Sequence, residues 1–184
     1  MKKLGIIQES LGNFFLSMRT KRNDRKPQVF SFQNAKTIGI LYDASEKIHH
    51  EKISEFADFI THRYSGITIK MLGYLDNPEM ATCLSQSVHT EFFSQKDFSW
   101  SGNLQKGSAV PFTKERFDIL LDINNDTSYP LLYVLLLSKA SYKVGRFIET
   151  DLRYDLMLDT KEDNTIEFLI TQINVYLSKI RVKQ

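Results

Sequence analysis

The chain has 184 residues, of which 42% are hydrophobic and 25% charged, the usual composition of a soluble globular protein. A single cysteine excludes an internal disulfide and a cysteine-rich zinc site, and a formal net charge of +2 does not favour nucleic acid as a partner. A chain of this length corresponds to one domain, with room for a short appendage.

The first predicted element is a basic amphipathic helix. Its apolar side chains recur at three- and four-residue spacings and share one face: Leu4, Ile7, Leu11, Phe14, Phe15 and Met18. Residues 1–36 carry eight basic and two acidic side chains, a net charge of +6, whereas the other 148 residues carry 16 basic and 20 acidic ones, a net charge of −4. We therefore divide the chain into a basic helix with its linker, 1–35, and a single domain, 36–184.

Several partners suit this helix. The favoured interpretation is that it docks on its own domain or pairs with another subunit, because Glu9, Gly5 and Gly12 make it a poor membrane anchor. The alternatives are a different protein or a nucleic acid bound through the basic residues, and peripheral contact with an anionic membrane through residues 1–26. The candidate partner-binding residues are Phe14, Phe15, Arg19, Lys21 and Arg22.

The sequence predicts neither a secretory signal nor a membrane span. The apolar start at 4–7 is interrupted at 8–10, whereas a secretory signal needs about 7–15 apolar residues in a row. The longest apolar run elsewhere, 131–137, is far below the about 20 residues that span a bilayer. The expected location is therefore the cytoplasm.

From residue 36 onward, apolar runs typical of strands alternate with helical periods. Strands are predicted at 37–42 and 67–75. The helix between them has a buried face of Ile53, Phe56, Ile60 and Tyr64. Ser45 is placed to cap this helix and Gly66 to end it, and Asn77 followed by proline opens a short helix.

The alternation continues after an irregular stretch. A strand begins at 91–93, and 94–111 is a long polar loop. Strands at 117–123, 142–147 and 154–158 follow, with a helix at 131–140. The last helix, opened by a capping box of Asn164 and Glu167, has the stripe Ile166, Leu169, Ile170, Ile173, Tyr176, Leu177 and Ile180. This order predicts an α/β fold, a three-layer sandwich with a mostly parallel sheet of the Rossmann-like or flavodoxin-like type.

Acidic and amide side chains follow several predicted strands. Ligands of an open α/β sheet bind beyond the carboxyl ends of the strands, where the strand order reverses. The candidate ligand-binding residues there are Asp43, Asp76, Asp122, Asn124 and Asp126. The alternative is that each carboxylate caps the helix that follows it. A magnesium site built from these oxygens is the less favoured idea, and no metal ligand is assigned.

The one tryptophan, Trp100, is the remaining candidate binding residue. It lies in the polar loop, where the favoured interpretation is that it packs back against the edge of the sheet. The alternative is that it stacks on a ligand or anchors a protein partner.

The familiar catalytic and cofactor motifs do not occur. Gly102-x-x-x-x-Gly107-Ser108 resembles part of a phosphate-binding loop, but Lys106 precedes the second glycine, whereas the motif requires a lysine after it. The turn after the first strand lacks the glycines of the dinucleotide fingerprint, and no Gly-x-Ser-x-Gly elbow exists. We assign no catalytic residue and no cofactor.

Five segments of the sequence resemble a known family. They are KTIGILYDAS, DFSWSG, FDILLDIN, LLYVLLLSKASYKVGR and YDLMLD. Together they resemble a family of short uncharacterised bacterial α/β proteins over 36–180, a likeness that implies the fold and no established activity. Residues 117–146 alone are similar to a βαβ unit of heptosyltransferase-type glycosyltransferases. Those enzymes need two such domains, so the likeness does not imply transferase activity for this chain alone.

Two function classes follow. The first is a non-catalytic interaction or scaffold protein that self-associates or binds a protein partner through the N-terminal helix and the Trp100 loop. The alternative is a small-molecule or phospho-ligand binding protein, a class that includes enzymes, with its site at the carboxyl ends of the parallel strands.

Overall fold

Short apolar segments form one sheet in the computed structural model, which describes residues 25–84, 89–100, 102–125, 128–149 and 153–181. The strands are β1 (Thr37–Asp43), β2 (Thr68–Leu75), β3 (Thr90–Ser94), β4 (Ile119–Ile123), β5 (Tyr142–Arg146) and β6 (Leu156–Leu158). They pair in parallel in the order β3-β2-β1-β4-β5-β6. This is the strand order of a Rossmann sheet, so the predicted α/β class is confirmed and the Rossmann-like alternative is the one observed.

Helices cover both faces of the sheet. They are α1 (Lys47–Arg63), α2 (Ala109–Lys114), α3 (Tyr129–Leu137) and α4 (Ile166–Lys179), with short 3-10 helices at Pro78–Thr82 and Gln95–Asp97. On one face, Ile53 of α1 and Leu169 of α4 belong to the same buried cluster. On the other face, Phe112 of α2 and Leu132 of α3 do so. The predicted three-layer sandwich is thus confirmed.

β4 lies at the centre of this sandwich. Every residue of the strand is buried, as expected of a continuous apolar run covered on both faces. Ile119, Leu121 and Ile123 belong to the cluster with α1 and α4, and Leu120 belongs to the opposite cluster. Since side chains alternate along a strand, Asp122 is a carboxylate that points into the same layer as Leu120.

The strand order reverses between β1 and β4. The chain leaves β1 toward β2 and β3, and it returns from β3 to form β4 on the other side of β1. The segments that follow β1 and β4 therefore diverge, which is the geometry that opens a ligand crevice in Rossmann sheets. The residues just after these two strands are where a ligand site is to be sought.

Residues 25–35, which the sequence places ahead of the domain, contribute to its core. Phe32 is 1% exposed, its ring lies 5.2 Å from that of Tyr64, and its N–H donates to the carbonyl of Leu177 over 3.2 Å. Ala35 joins the same buried cluster. The boundary at residue 35 stays a prediction, but a truncation there removes core atoms.

The predicted capping box of Asn164 and Glu167 is wrong by one residue. Thr165 is the N-cap of α4, and its hydroxyl accepts a hydrogen bond from the N–H of Phe168 over 3.3 Å. The side chain of Asn164 is engaged elsewhere, because its Oδ1 accepts from the guanidinium of Arg146 over 2.6 Å. A distant partner thus decides which polar residue caps the helix.

The predicted polar loop 94–111 contains short elements of its own. The 3-10 helix Gln95–Asp97 has a capping box. Asp97 Oδ2 accepts from the N–H of Ser94 over 2.8 Å, and Ser94 Oγ accepts from the N–H of Lys96 over 3.3 Å. An isolated antiparallel bridge joins Phe98 to Leu104, and α2 follows. Among the helices of the described residues, none is both long and apolar enough to cross a membrane.

We expect Phe32→Ala to lower the free energy of unfolding by about 3–5 kcal/mol, because it leaves a cavity between α1 and α4. Urea denaturation measures this loss. Val29→Ala is the matched control, since Val29 is 47% exposed in the same segment and its truncation should change stability by no more than about 0.5 kcal/mol. Equal effects of the two changes would contradict the core role of Phe32.

Candidate functional site

Asn124 occupies the crevice between β1 and β4. Its Oδ1 accepts from the N–H of Asp43 over 2.7 Å, and its Nδ2 donates to the carbonyl of Leu41 over 3.3 Å. The same Nδ2 donates to the carboxylate of Asp122. One buried amide therefore ties the two strands together at the point where the strand order reverses.

Asp43 and Asp76 lie at the ends of the neighbouring strands β1 and β2, and both take part in hydrogen bonds at that edge. Asp43 Oδ1 accepts from the N–H of Ser45 over 2.8 Å, which closes the turn after β1. Ser45 does not cap α1 as predicted: its hydroxyl accepts from the N–H of Asp76 over 3.2 Å, and α1 begins after Glu46 without a side-chain cap. Burial, together with a hydrogen bond to Asp76, raises the pKa of Tyr74 to about 12.

Asp122 is buried beneath the crevice, with 5% of its surface exposed. Its Oδ2 accepts from the hydroxyl of Tyr154 over 2.6 Å, and its Oδ1 accepts from Asn124. Burial raises the pKa of Asp122, although these two donors and the positive charges of Arg153 and Arg146 oppose the rise. Asp122 is therefore a structural group within the sheet, not a cap of the next helix.

Gly145 makes the contact between Tyr154 and Asp122 geometrically feasible. A Cβ atom at position 145 would lie 2.4 Å from Cε1 of Tyr154, which is closer than atoms can pack. The tyrosine ring crosses β5 at this residue because no side chain stands there. Burial raises the pKa of Tyr154 well above its ordinary value, and the charge of Asp122 acts in the same direction, so its hydroxyl stays a donor.

Arg146 connects the loops at the carboxyl edge, a role that sequence reasoning missed. It donates to Asn125 Oδ1 over 2.9 Å, to Asn164 Oδ1 over 2.6 Å and to the hydroxyl of Thr160. The segments after β4 and β6 are thereby joined through one guanidinium. The signal in the sequence is a single cation at the end of the buried strand YKVGR, but its partners are remote.

The polar groups of the carboxyl edge are thus hydrogen-bonded to one another and to the backbone. The structure brings Asp43, Asp122 and Asn124 together and places Asp76 beside them through Ser45. Within the residues that the structure describes, no group of three or more histidine, cysteine or acidic side chains could hold a metal ion. A ligand role for these residues stays a prediction.

The carboxylate of Asp97 lies against Gly107 in the Gly102–Ser108 stretch. A Cβ atom at Gly107 would lie 2.7 Å from Oδ1 of Asp97, and the hydroxyl of Ser108 donates to the carbonyl of Phe92 over 2.6 Å. A carboxylate so close would repel a phosphate. The partial motif is therefore explained by chain packing.

Trp100 lies in a small hairpin formed by residues 98–100 and 102–104, which we call the Trp100 hairpin. Ser99 N–H donates to the carbonyl of Asn103 over 2.8 Å, and Gly102 N–H donates to the carbonyl of Ser99 over 2.9 Å. Gly102 has a φ of 82°, the left-handed conformation that completes such three-residue turns. Trp100 is 101% exposed, so the expectation that it packs on the sheet edge is wrong.

Aromatic side chains anchor the base of the Trp100 hairpin. Phe98 is buried, with its ring 5.4 Å from that of Tyr133 and 6.0 Å from that of Tyr129. The Tyr129 hydroxyl donates to the carbonyl of Gly102 over 2.8 Å, and the Tyr133 hydroxyl donates to Oδ1 of Asn103 over 3.3 Å. Both sides of the turn are therefore tied to α3, while its tip extends into solvent.

Lys143, a second residue that sequence reasoning missed, is a buried amine in β5. Its Nζ donates to the carbonyl of Leu135 over 2.6 Å, near the C-terminal end of α3, where a positive charge is favourable. Burial lowers the pKa of Lys143 to about 7, and the charge of Arg25 acts in the same direction. The signal is a lysine inside an otherwise buried strand.

Several predicted site residues lie outside the described residues. They are Asp126 of the ligand-binding set and Phe14, Phe15, Arg19, Lys21 and Arg22 of the partner-binding set. Docking, partner binding and membrane contact through the N-terminal segment stay predictions.

We expect the free energy of unfolding of Asp122→Asn, relative to that of the natural protein, to increase as the pH rises. A carboxyl group whose pKa is raised by folding contributes stability below its ordinary value of 3.8, and this contribution is lost as the pH rises through the folded value. Urea denaturation at pH 4 and pH 8 measures the difference. Asp122→Ala, which leaves Tyr154 and Asn124 without their acceptor, should cost about 1–3 kcal/mol for each unpaired group.

Asp163→Asn is a control of opposite sign. Hydrogen bonds from Thr165 lower the pKa of Asp163, so its contribution is present above the ordinary value and lost as the pH falls. The free energy of unfolding of Asp163→Asn, relative to that of the natural protein, should therefore decrease as the pH rises. The same pH trend for both variants would contradict the buried-carboxylate interpretation of Asp122.

We expect Lys143→Met to stabilise the protein more at pH 6 than at pH 10. Between the folded pKa of about 7 and the ordinary value of 10.5, the unfolded chain binds more protons, so the stability of the natural protein rises with pH across this interval. Methionine removes the titrating group at similar length. A stability difference that stays constant from pH 6 to pH 10 would contradict the burial of a charged amine.

Comparison with known proteins places the chain in a family. No curated protein matches it. A family model matches residues 8–180, nearly the whole sequence, and its description is a family of unknown function. This match bears neither on the origin of the chain nor on the likeness to glycosyltransferases. The predicted resemblance to an uncharacterised family is thus confirmed, and the chain belongs to DUF6913, a family of unknown function.

Proposed function

We propose that the protein is a non-catalytic interaction protein, and that the Trp100 hairpin is the surface through which it binds a second copy of itself or another protein. The observation that carries the proposal is a fully exposed tryptophan on a turn anchored at both sides. Tryptophan is the side chain most enriched among residues that dominate binding energy at protein interfaces. Left in water, its large apolar surface is a free-energy cost that binding would relieve.

The exposure of Trp100 separates it from the other apolar side chains at the surface. The remaining large hydrophobic residues that are exposed in the described chain range from 37% for Phe147 and Val175 to 49% for Ile48 and Tyr176. Each of these side chains is at least half covered. Trp100 is covered by none of the residues that the structure describes, which supports a role outside the monomer.

The anchoring of the hairpin supports the same role. Association loses free energy when a loop must be ordered on binding, and a loop already held in one conformation avoids this loss. Phe98 is buried beneath the turn on its N-terminal side, and the hydroxyls of Tyr129 and Tyr133 donate to Gly102 and Asn103 on its C-terminal side. The tryptophan is therefore presented on a preorganised support.

The arrangement of the carboxyl edge supports a non-catalytic function. Asp122, Asn124 and Arg146 are polar groups of this edge, and each is engaged in hydrogen bonds that hold the strands and loops together. A group that must keep such bonds is poorly placed to bind a substrate, since breaking them costs free energy. This favours interaction over catalysis.

Trp100 supplies its own assay, because it is the only tryptophan in the chain. Dilute protein should show the emission of a water-exposed indole. If the partner is a second copy, raising the concentration should shift the emission to shorter wavelength and increase the mass measured by sedimentation. Trp100→Ala should abolish the mass increase, whereas Phe59→Ala, a change at a 46% exposed residue of α1, should not.

If the partner is another protein, a photo-reactive amino acid at position 100 should cross-link it in cells, and the same probe at position 59 should not. The purified partner should then lose at least about 30-fold in affinity for Trp100→Ala, the scale of a dominant interface residue. A chain that stays monomeric at every concentration, and that gives the same cross-links from positions 100 and 59, contradicts the proposal.

A further inference from the structure

The outer flank of α4, defined as Phe168, Val175 and Tyr176, carries exposed apolar surface. Tyr176 is 49% exposed and Val175 37%, while Phe168 is partly exposed. Glu167 marks the other side of the helix, since it pairs with Lys52 of α1. The outer flank therefore faces away from α1, toward the β6 end of the sheet.

The described chain begins beside this end of the sheet. Arg25 donates to the carbonyl of Ala140 over 2.6 Å and to that of Ser141 over 3.3 Å, and it pairs with Asp155. Ser141 directly precedes β5, and Asp155 directly precedes β6. The segment that leads into Arg25 thus reaches the fold at the amino edge, between the first residues of β5 and β6.

The C-terminal end of α4 lies at the same edge. Phe32 N–H donates to the carbonyl of Leu177, and Gln33 donates to that of Ser178 over 2.7 Å. Residues 19–24, which connect the end of the predicted helix to Arg25, span at most about 20 Å when extended, so residue 18 would lie within that distance of Arg25.

The predicted N-terminal helix has the length and the face that the outer flank of α4 requires. Residues 4–18 would form a helix of about 22 Å, and the 14 residues of α4 form one of about 21 Å. All six members of the predicted apolar stripe lie within 4–18. An apolar stripe of this kind needs a packing partner.

The charges of the two elements also match. With the C-terminal end of the N-terminal helix near Arg25, its first residues, Lys2 and Lys3, would reach the beginning of α4. There the exposed residues Glu162 and Asp163 precede the helix. Opposite charges so placed favour docking, and the parallel orientation follows from the position of Arg25 at the edge where α4 ends.

We propose that residues 4–18 form a helix that docks parallel to α4 on its outer flank, so that the basic N-terminal segment is a layer of this domain. The docked helix covers Phe168, Val175 and Tyr176 with its apolar stripe. Docking through this surface is independent of the Trp100 hairpin, and it can be tested in the full chain without an unknown partner.

Chymotrypsin reports the docking through cleavage after Phe14 and Phe15. Proteolysis of a docked segment follows the population of its open state, so cleavage should be slow in the natural protein. Replacing Val175 and Tyr176 with glutamate should accelerate it at least about tenfold, because the charges disfavour the docked state. Phe59→Glu, on α1 and similarly exposed, should leave the rate unchanged.

Leu11→Glu tests the same contact from the other side without altering the described domain. It should accelerate cleavage after Phe14 and Phe15 to a similar extent. Charge reversal at Lys2 and Lys3 should accelerate cleavage less, and adding Glu162→Lys and Asp163→Lys should slow it again; absence of this rescue would overturn the parallel orientation.

Two further results would overturn the proposal. One is cleavage of the natural protein as fast as that of the variant with glutamate at 175 and 176. The other is protection that increases with protein concentration together with the measured mass, which would mean that a second copy covers the flank. Protection that is independent of concentration and lost in both α4 and Leu11 variants is the expected result.

Discussion

Asn124 joins β1 to β4 where the sheet changes direction, and the carboxyl edge is arranged around that bond. At this point one amide side chain accepts from the N–H of Asp43 and donates to the carbonyl of Leu41. A buried amide must be held in place, which Asp122 does, and a buried carboxylate needs a second donor, which Tyr154 supplies. Position 145 is then a glycine, because the ring of Tyr154 crosses β5 there and leaves no room for a side chain.

These linked hydrogen bonds bear on what the crevice between β1 and β4 can hold. In Rossmann sheets that bind nucleotides, a glycine-rich turn leaves space for phosphate at the same crevice. Here the crevice is filled by Asn124, and the next loops are joined by Arg146. The hydrogen bonds that stabilise the edge therefore engage Asp122, Asn124 and Arg146, and we base our proposals on the exposed apolar side chains of the described residues.

Those features lie on different parts of the molecule. The Trp100 hairpin is held against α3 by aromatic contacts and presents its tryptophan to solvent. The outer flank of α4 lies on the opposite face of the sheet and leads to the point where Arg25 enters the fold. We propose the first surface for a separate protein chain and the second for a segment of the same chain.

The amino-acid sequence alone determined the α/β class and the alternation of strands and helices, and it indicated polar residues at the end of the strand that carries Asp122, because strand and helix periods are local properties of a few consecutive residues. Tertiary structure decided the rest. Asn124 meets Asp43 across 81 positions and Tyr154 meets Asp122 across 32, while Arg146 takes Asn164 away from its predicted cap. The exposure of Trp100 and the burial of Lys143 likewise depend on segments packed from elsewhere in the chain. Such pairings are set by strand order and layer packing, which no local period records, so only the folded chain shows which polar groups are occupied and which surfaces remain uncovered.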